Sequence, residues 1–157
     1  MNICVVGTGY VGLVTGAVFA DLGNDVICVD NVPEKIETLR TGQMPIYEPG
    51  LEEMVARNVA DGRLAFTTDL AEAVRRSVIV FITVGTPASD GGRADLSAVE
   101  SVARGIASAM ERYTVIVNKS TVPVGTGEFV REVIERHQVR RVRFDVVSNP
   151  EFLREGS

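Results

Sequence analysis

The sequence is poor in the residues that mark several classes of protein. Its 157 residues include no tryptophan, two cysteines and 6% aromatic residues, and 16 basic side chains face 21 acidic ones. Two cysteines cannot build a disulfide framework. The net charge of −5 argues against a surface for nucleic acid or for an anionic membrane. We therefore expect no nucleic acid and no membrane among its partners, and no metal site.

The apolar N-terminus lacks the features of a signal peptide and of a membrane helix. No basic segment precedes it, and Asp21 and Asp25 interrupt it. The predicted helix has about ten residues before Asp21, too few to span a bilayer. Cys4 and Cys28 lie in the middle of apolar runs, where core packing explains them better than catalysis. Reduced thiols of this kind fit a cytoplasmic protein, which is the location that we expect.

What the sequence does contain is a complete dinucleotide-binding fingerprint near its start. A strand-type run at 2–6 leads into Gly-Thr-Gly-Tyr-Val-Gly at 7–12, a helical pattern at 13–22 and a second strand at 25–30. Gly7 permits a tight turn, Gly9 lets a pyrophosphate approach the backbone, and Gly12 lets the helix lie close to the sheet. Asp30 lies near the usual position of the acid that binds ribose hydroxyls. The alternative is a glycine-rich turn without a ligand, but it does not explain why strand, glycines, helix and acid all occur at the expected spacing.

Strand-type runs and helical patterns alternate along the whole chain. The six runs lie at 2–6, 25–30, 63–67, 78–84, 113–118 and 144–148. This alternation predicts an α/β fold with a doubly wound parallel sheet, the Rossmann fold, in the strand order 3-2-1-4-5-6. Ligands bind such sheets at the carboxyl ends of the strands. Three further polar loops, at 84–92, 119–125 and 149–157, are expected at that edge, in a single domain covering 1–157.

Five motifs of the chain match one enzyme family. They are Gly-Thr-Gly-Tyr-Val-Gly at 7–12, Pro-Ile-Tyr-Glu-Pro-Gly-Leu at 45–51, Val-Gly-Thr-Pro at 84–87, Lys-Ser-Thr-Val-Pro-Val-Gly-Thr at 119–126 and Asn-Pro-Glu-Phe-Leu-Arg-Glu-Gly at 149–156. With them the sequence resembles the nucleotide-sugar 6-dehydrogenases, and most closely the UDP-glucose 6-dehydrogenases. The resemblance implies oxidation of the C6 alcohol of a nucleotide sugar to a carboxylate with two NAD, in a homo-oligomeric parent enzyme.

The resemblance also assigns roles to individual residues, by matching position. The residues implied in NAD binding are Gly7, Gly9, Tyr10, Val11, Gly12, Asp30, Lys35, Thr86, Thr121 and Glu155. The residues implied at the sugar nucleotide are Glu151, Phe152, Leu153 and Arg154. Glu151 is implied at the reaction centre, as an acid/base or as the group that orients a water.

The family's nucleophile is expected outside this chain. The resemblance implies that a catalytic cysteine and its lysine, asparagine and aspartate partners come from a second domain beyond Ser157, after a central helix. Neither Cys4 nor Cys28 occupies the motif of that nucleophile. The chain is therefore expected to bind NAD without turning over a substrate. Two alternatives stay open: a GDP-mannose or UDP-N-acetylmannosamine dehydrogenase domain, and a non-catalytic module that senses NAD.

Overall fold

The computed structural model describes residues 1–88 and 94–150. Strands and helices alternate in them, and none of the helices in these ranges has the length and apolarity to cross a membrane. The elements are β1 Asn2–Val6, α1 Tyr10–Asp21, β2 Asp25–Val29, α2 Pro33–Arg40, α3 Leu51–Ala60, β3 Leu64–Thr67, α4 Leu70–Arg76, β4 Ile79–Ile82, α5 Ser97–Ala109, β5 Thr114–Asn118, α6 Thr126–His137 and β6 Phe144–Ser148.

The strands form one sheet in the order β3-β2-β1-β4-β5-β6. Each neighbouring pair is parallel; in the central pair, for example, Val6 of β1 lies opposite Ile82 of β4. The chain order reverses between β1 and β4, so the loops that follow these two strands diverge and leave a crevice. The predicted fold class and strand order are confirmed.

Apolar side chains fill the space between the sheet and a layer of helices on each face. On one face the core lies under α1, α2 and α3, and on the other it lies under α4, α5 and α6. Fully buried members of the first core include Ile3, Leu13, Ile36 and Val55, and those of the second include Ile82, Ile106, Ile116 and Ile134. Strands covered on both faces read as continuous apolar runs, as β1 and β4 do.

Two element boundaries differ from the prediction by more than one residue, and both of these lie at the crevice. Helix α1 begins at Tyr10 rather than at 13, because Gly9 has extended backbone angles and serves as the N-cap. Strand β4 ends at Ile82 rather than at 84. Its neighbour β1 ends at Val6, and the chain then turns away at Gly7, so Thr83 has no strand partner on that side. The glycine loop and the end of β4 therefore face each other across the crevice.

Candidate cofactor-binding site

The glycine loop is a close-packed turn at the carboxyl end of β1. Gly7 has a φ of +106°, a region that side chains with a Cβ rarely adopt, and its N–H donates to the Val29 carbonyl at 2.7 Å. A Cβ on Gly12 would collide with the Gly7 carbonyl and would lie 2.7 Å from the Thr83 hydroxyl. Gly12 therefore lets the first turn of α1 lie against the loop and β4.

Gly9 differs from its two neighbouring glycines because its missing side chain faces open space. A Cβ built there would meet no atom within 4 Å, and the backbone angles of Gly9 are accessible to any residue. The fold itself therefore does not require glycine at this position. The open space above Gly9 fits the close approach of a ligand to the backbone, which is the role that the sequence predicts for it.

The N-terminus of α1 points into the same space. No side chain caps it, and the first helical hydrogen bond runs from the Leu13 N–H to the Gly9 carbonyl. The N–H groups of Val11 and Gly12 lie in the first turn, where helical N–H groups have no acceptor within the helix. With the positive end of the helix dipole, such a terminus attracts an anionic group such as pyrophosphate.

Asp30 follows β2 and is 7% exposed. Its Oδ2 accepts hydrogen bonds from the N–H and the hydroxyl of Thr8, at 2.9 and 2.8 Å, and its Oδ1 accepts one from the Val32 N–H at 3.1 Å. Burial of the carboxyl opposes ionisation, but these hydrogen bonds and the nearby Lys35 ammonium outweigh it, and the pKa of Asp30 is lowered. A carboxylate can accept about four hydrogen bonds. Oδ1 therefore keeps one acceptor position for a hydroxyl.

Lys35 lies next to this carboxylate. Its Nζ is 3.6 Å from Oδ2 of Asp30, and its side chain is 47% exposed. Asp30 and Lys35 line a cavity of about 370 Å³, called here the Asp30 cavity, together with Gly7, Gly9 and Val32. The structure thus brings the predicted ribose acid, the predicted lysine and the glycine loop together.

A second cavity, of about 280 Å³, lies on the other side of Gly9. We call it the Tyr10 cavity; Tyr10, Val11, Thr86 and Thr121 line it. Gly9, Thr83, Val84 and Gly85 belong to both cavities. Because the two cavities meet over the glycine loop, an elongated ligand can extend from one into the other.

The two predicted threonines contact each other, although they are 35 residues apart. The Thr86 hydroxyl donates to the Thr121 carbonyl at 2.7 Å, and the neighbouring Ser120 hydroxyl donates to the Val84 carbonyl at 2.7 Å. These bonds join the loops that follow β4 and β5. They hold both threonines at the rim of the Tyr10 cavity.

Thr83 is a site residue that the sequence did not identify. Its hydroxyl lies 2.8 Å from the Val6 carbonyl and 3.0 Å from the Gly7 carbonyl, and its N–H donates to Val6 as well. Thr83 therefore fixes the glycine loop to the end of β4. In the sequence it reads as one more β-branched strand residue, and only the pairing of β1 with β4 reveals this contact.

Five predicted site residues lie outside the described residues: Glu151, Phe152, Leu153, Arg154 and Glu155. Their motif begins at Asn149, which is described. The Asn149 N–H donates to the Asn118 carbonyl at 2.9 Å, and its side-chain oxygen lies 3.4 Å from Lys119 Nζ. The motif therefore starts at the carboxyl edge of β5 and β6, on the side of the sheet edge that also carries Thr121.

Neither cysteine reaches the crevice. Cys4 and Cys28 are free and fully buried in β1 and β2. Burial raises the pKa of both thiols, to about 12 for Cys28, and the proximity of Cys28 adds to the rise for Cys4. Such thiols are poor nucleophiles. No cluster of metal-ligating side chains occurs in the ranges 1–88 and 94–150.

Comparison with known proteins gives a family match over the full sequence. The model of the UDP-glucose/GDP-mannose dehydrogenase family, NAD binding domain, matches residues 1–157. The UDP-glucose 6-dehydrogenase TuaD of Bacillus subtilis is 55% identical over 156 residues, which are 99% of this chain and 34% of that protein.

Two solved structures superpose closely on this chain. A UDP-glucose dehydrogenase from Pyrobaculum islandicum superposes with a TM-score of 0.94 and is 46% identical. A GDP-mannose dehydrogenase from Pseudomonas aeruginosa also superposes with a TM-score of 0.94 and is 41% identical. Each match covers 99% of this chain and 37% of the solved chain. The chain thus spans about a third of the length of these similar proteins.

Proposed function

Because the chain belongs to the UDP-glucose/GDP-mannose dehydrogenase family, as its NAD-binding domain, we propose that it provides the cofactor half of an enzyme that oxidises UDP-glucose. The observation that carries the proposal is the pair of cavities that meet over Gly9, with Asp30 in one and Thr86 and Thr121 in the other. Identity to UDP-glucose dehydrogenases, 55% and 46%, favours this substrate over GDP-mannose, at 41%.

The residues of the crevice fit NAD. Asp30 retains one acceptor position for an adenosine ribose hydroxyl, and Lys35 lies on the same side. The open space at Gly9 and the N–H groups of the first turn of α1 suit the pyrophosphate. Bound NAD supplies the acceptor for a hydride. This chain's part is to hold the cofactor so that its nicotinamide half lies in the Tyr10 cavity.

The sugar nucleotide would meet the cofactor at the edge where the 149–156 motif begins. We propose Glu151 as an acid/base or water-orienting residue, Phe152, Leu153 and Arg154 as lining of the sugar site, and Glu155 as a cofactor contact. A module that only senses NAD has no use for an acidic, sugar-lining motif at this edge.

Oxidation of an alcohol to an acid requires that the intermediate aldehyde be held for a second hydride transfer, commonly by a thiolate. Cys4 and Cys28 are buried below the glycine loop and cannot take this part. This chain matches about a third of the length of its relatives. We therefore propose that the nucleophile belongs to the rest of the parent enzyme. The parent is proposed to be a cytoplasmic homo-oligomer, a location that two free, buried cysteines fit.

A direct assay tests this function. This chain is mixed with NAD and UDP-glucose, and the absorbance of reduced cofactor is followed; the parent enzyme is assayed with UDP-glucose, GDP-mannose and UDP-N-acetylmannosamine. We expect NAD binding without sustained turnover by this chain, and turnover by the parent with UDP-glucose as the preferred sugar. Sustained turnover by this chain alone would contradict the proposal that the nucleophile lies elsewhere in the parent enzyme. Preference of the parent for another sugar nucleotide would contradict the proposal that UDP-glucose is the substrate.

A further inference from the structure

The Tyr10 cavity has one charged residue among the described residues that line it. These are glycines, valines, threonines, Tyr10, Ser120 and Lys119, so Lys119 alone carries a charge. The Asp30 cavity differs, because there the Lys35 ammonium lies 3.6 Å from the Asp30 carboxylate. The two halves of the crevice therefore differ in charge: the charges of Asp30 and Lys35 balance in one, whereas the charge of Lys119 is positive and unbalanced in the other.

The backbone of Lys119 is fixed to the end of the neighbouring strand. Lys119 directly follows β5, and its N–H donates to the Ile82 carbonyl at 2.9 Å. The N–H of Ser120 donates to the same carbonyl at 3.2 Å, and the Ser120 hydroxyl donates to the carbonyl of Val84, which also lines the cavity. The position of Lys119 at the rim of the cavity is therefore set by hydrogen bonds between β5 and β4 rather than by a free loop.

The Lys119 ammonium has an uncharged partner. Its Nζ donates to Oδ1 of Asn149 at 3.4 Å, at the start of the 149–156 motif. Lys119 forms no ion pair with a carboxylate of the ranges 1–88 and 94–150. An amide oxygen orients an ammonium but does not cancel its charge. Because Lys119 is half-buried, that charge is screened less than it would be in bulk water, and it acts on a group that occupies the Tyr10 cavity.

We propose that the Lys119 charge disfavours the oxidised nicotinamide and so favours transfer of a hydride from the sugar to NAD. This inference rests on the proposed function, in which the nicotinamide half of NAD lies in the Tyr10 cavity. In the first oxidation a hydride, one proton with two electrons, leaves C6 of the alcohol for the nicotinamide, and the hydroxyl proton leaves to a base or to water. The ring is positively charged before this transfer and neutral after it. Repulsion by Lys119 therefore raises the free energy of bound NAD relative to bound NADH.

Titration calorimetry of this chain with NAD, NADH and ADP-ribose tests the proposal. Lys119→Met removes the charge and keeps an unbranched side chain, so we expect NAD to bind about three- to tenfold more tightly. This is the range for two like charges separated by about 8 Å, the width of a cavity of this volume, at an effective dielectric constant of about 30–60. NADH has no charge on its nicotinamide and ADP-ribose has no nicotinamide, so the affinity for each should change less than about twofold. Lys119→Arg keeps the charge and should bind all three ligands as the wild type does.

The matched control is Lys35→Met, the same substitution in the Asp30 cavity, which should change the affinities for NAD and NADH by the same factor. Unchanged or weaker NAD binding by Lys119→Met would overturn the proposal, and equal losses for all three ligands would indicate a contact of Lys119 with the pyrophosphate instead. If Lys119→Met does not fold, the uncharged variant Lys119→Gln decides in the same way. Wild-type chain that binds none of the three ligands would overturn the proposed function itself, and this inference with it.

Discussion

The Asp30 carboxylate accepts two hydrogen bonds from a single residue, Thr8, one from its N–H and one from its hydroxyl. Thr8 lies inside the glycine loop, and Asp30 follows the neighbouring strand. The pair therefore joins the two elements of the fingerprint to each other before any ligand arrives. The acid that we expect to meet the ribose is also a structural part of the loop that we expect to meet the pyrophosphate.

This double role makes the stability of the fold depend on pH through Asp30. The pKa of Asp30 is lowered in the folded chain. Its contribution to the free energy of unfolding is therefore fully present above the unfolded pKa of about 3.9, and it is lost as the pH falls through the lower, folded pKa. Asp30→Asn should cost about 1–2 kcal/mol at neutral pH. Urea unfolding at several pH values should show this cost shrinking below about pH 4.

Thr8→Ala supplies the matched comparison, because it removes the hydroxyl donor and keeps the backbone donor. It should raise the pKa of Asp30 and so move the loss of stability to higher pH. A cost of Asp30→Asn that is the same at every pH would contradict the assignment.

Replacement of Gly9 should mainly reduce NAD affinity, whereas replacement of Gly12 should mainly reduce the stability of the fold. Gly9→Val places a side chain in open space, so we expect unfolding free energy within about 1 kcal/mol of wild type and NAD affinity at least about 100-fold lower. Gly12→Ala forces a Cβ against the Gly7 carbonyl and should cost about 1–3 kcal/mol or more. Thermal melts by circular dichroism and NAD titration measure the two effects. Normal NAD binding by a natively folded Gly9→Val chain would refute the role of Gly9.

Thr83 should matter for both stability and binding. Thr83→Val keeps the shape of the side chain but removes the hydroxyl that lies between the Val6 and Gly7 carbonyls. We expect a loss of about 1–2 kcal/mol and weaker NAD binding, since the glycine loop is no longer tied to β4. Thr83→Ser keeps the hydroxyl and should therefore keep most of the stability and most of the NAD affinity of the wild type. Chemical denaturation measures the stability, and NAD titration measures the affinity. Equal stability and equal affinity of Thr83→Val and Thr83→Ser would contradict the role of the hydroxyl.

These site residues show how far the sequence could predict the structure. The order of the strands follows from the alternation of strand and helix patterns, and it is confirmed. Spacing also predicts the turn at Gly7 and the close packing at Gly12, which the structure has, whereas the role of Asp30 at a ribose stays a prediction. The predicted start of α1 was too late, because apolar periodicity marks the face of a helix that packs on the sheet. The first turn, at Tyr10 and Val11, faces the crevice instead and carries no such signal.

Contacts between distant residues could not be predicted at all. Thr83 reads as a strand residue, and its contact with Gly7 exists only because β4 pairs with β1. The hydrogen bond that the Tyr10 hydroxyl donates to Glu48 Oε2, at 3.1 Å, likewise depends on the packing of α3 on α1, which places the loop that carries Glu48. Such contacts arise from the tertiary arrangement of elements, which sequence spacing does not encode directly.

The two cysteines should be inert in the folded chain. Both are fully buried, and their pKa values are raised by burial, so neither offers an accessible thiolate. We expect no reaction with a thiol-specific chromogenic disulfide at pH 8 under native conditions, and reaction of two thiols per chain in denaturant. Rapid labelling of Cys4 or Cys28 in the native chain would show an accessible thiol and would contradict the conclusion that neither cysteine can act as a nucleophile.

The choice between NAD and NADP shows whether Asp30 meets the adenosine ribose when the crevice holds its cofactor. A 2′-phosphate would meet the Asp30 carboxylate, and Asn31 follows it with no arginine to receive the phosphate. Titration calorimetry of this chain should therefore show one NAD bound per chain and NADP at least about tenfold weaker. Asp30→Ala should weaken NAD and narrow the gap to NADP. Equal or tighter binding of NADP by the wild-type chain, or no binding of NAD by the folded chain, would refute this placement of the cofactor.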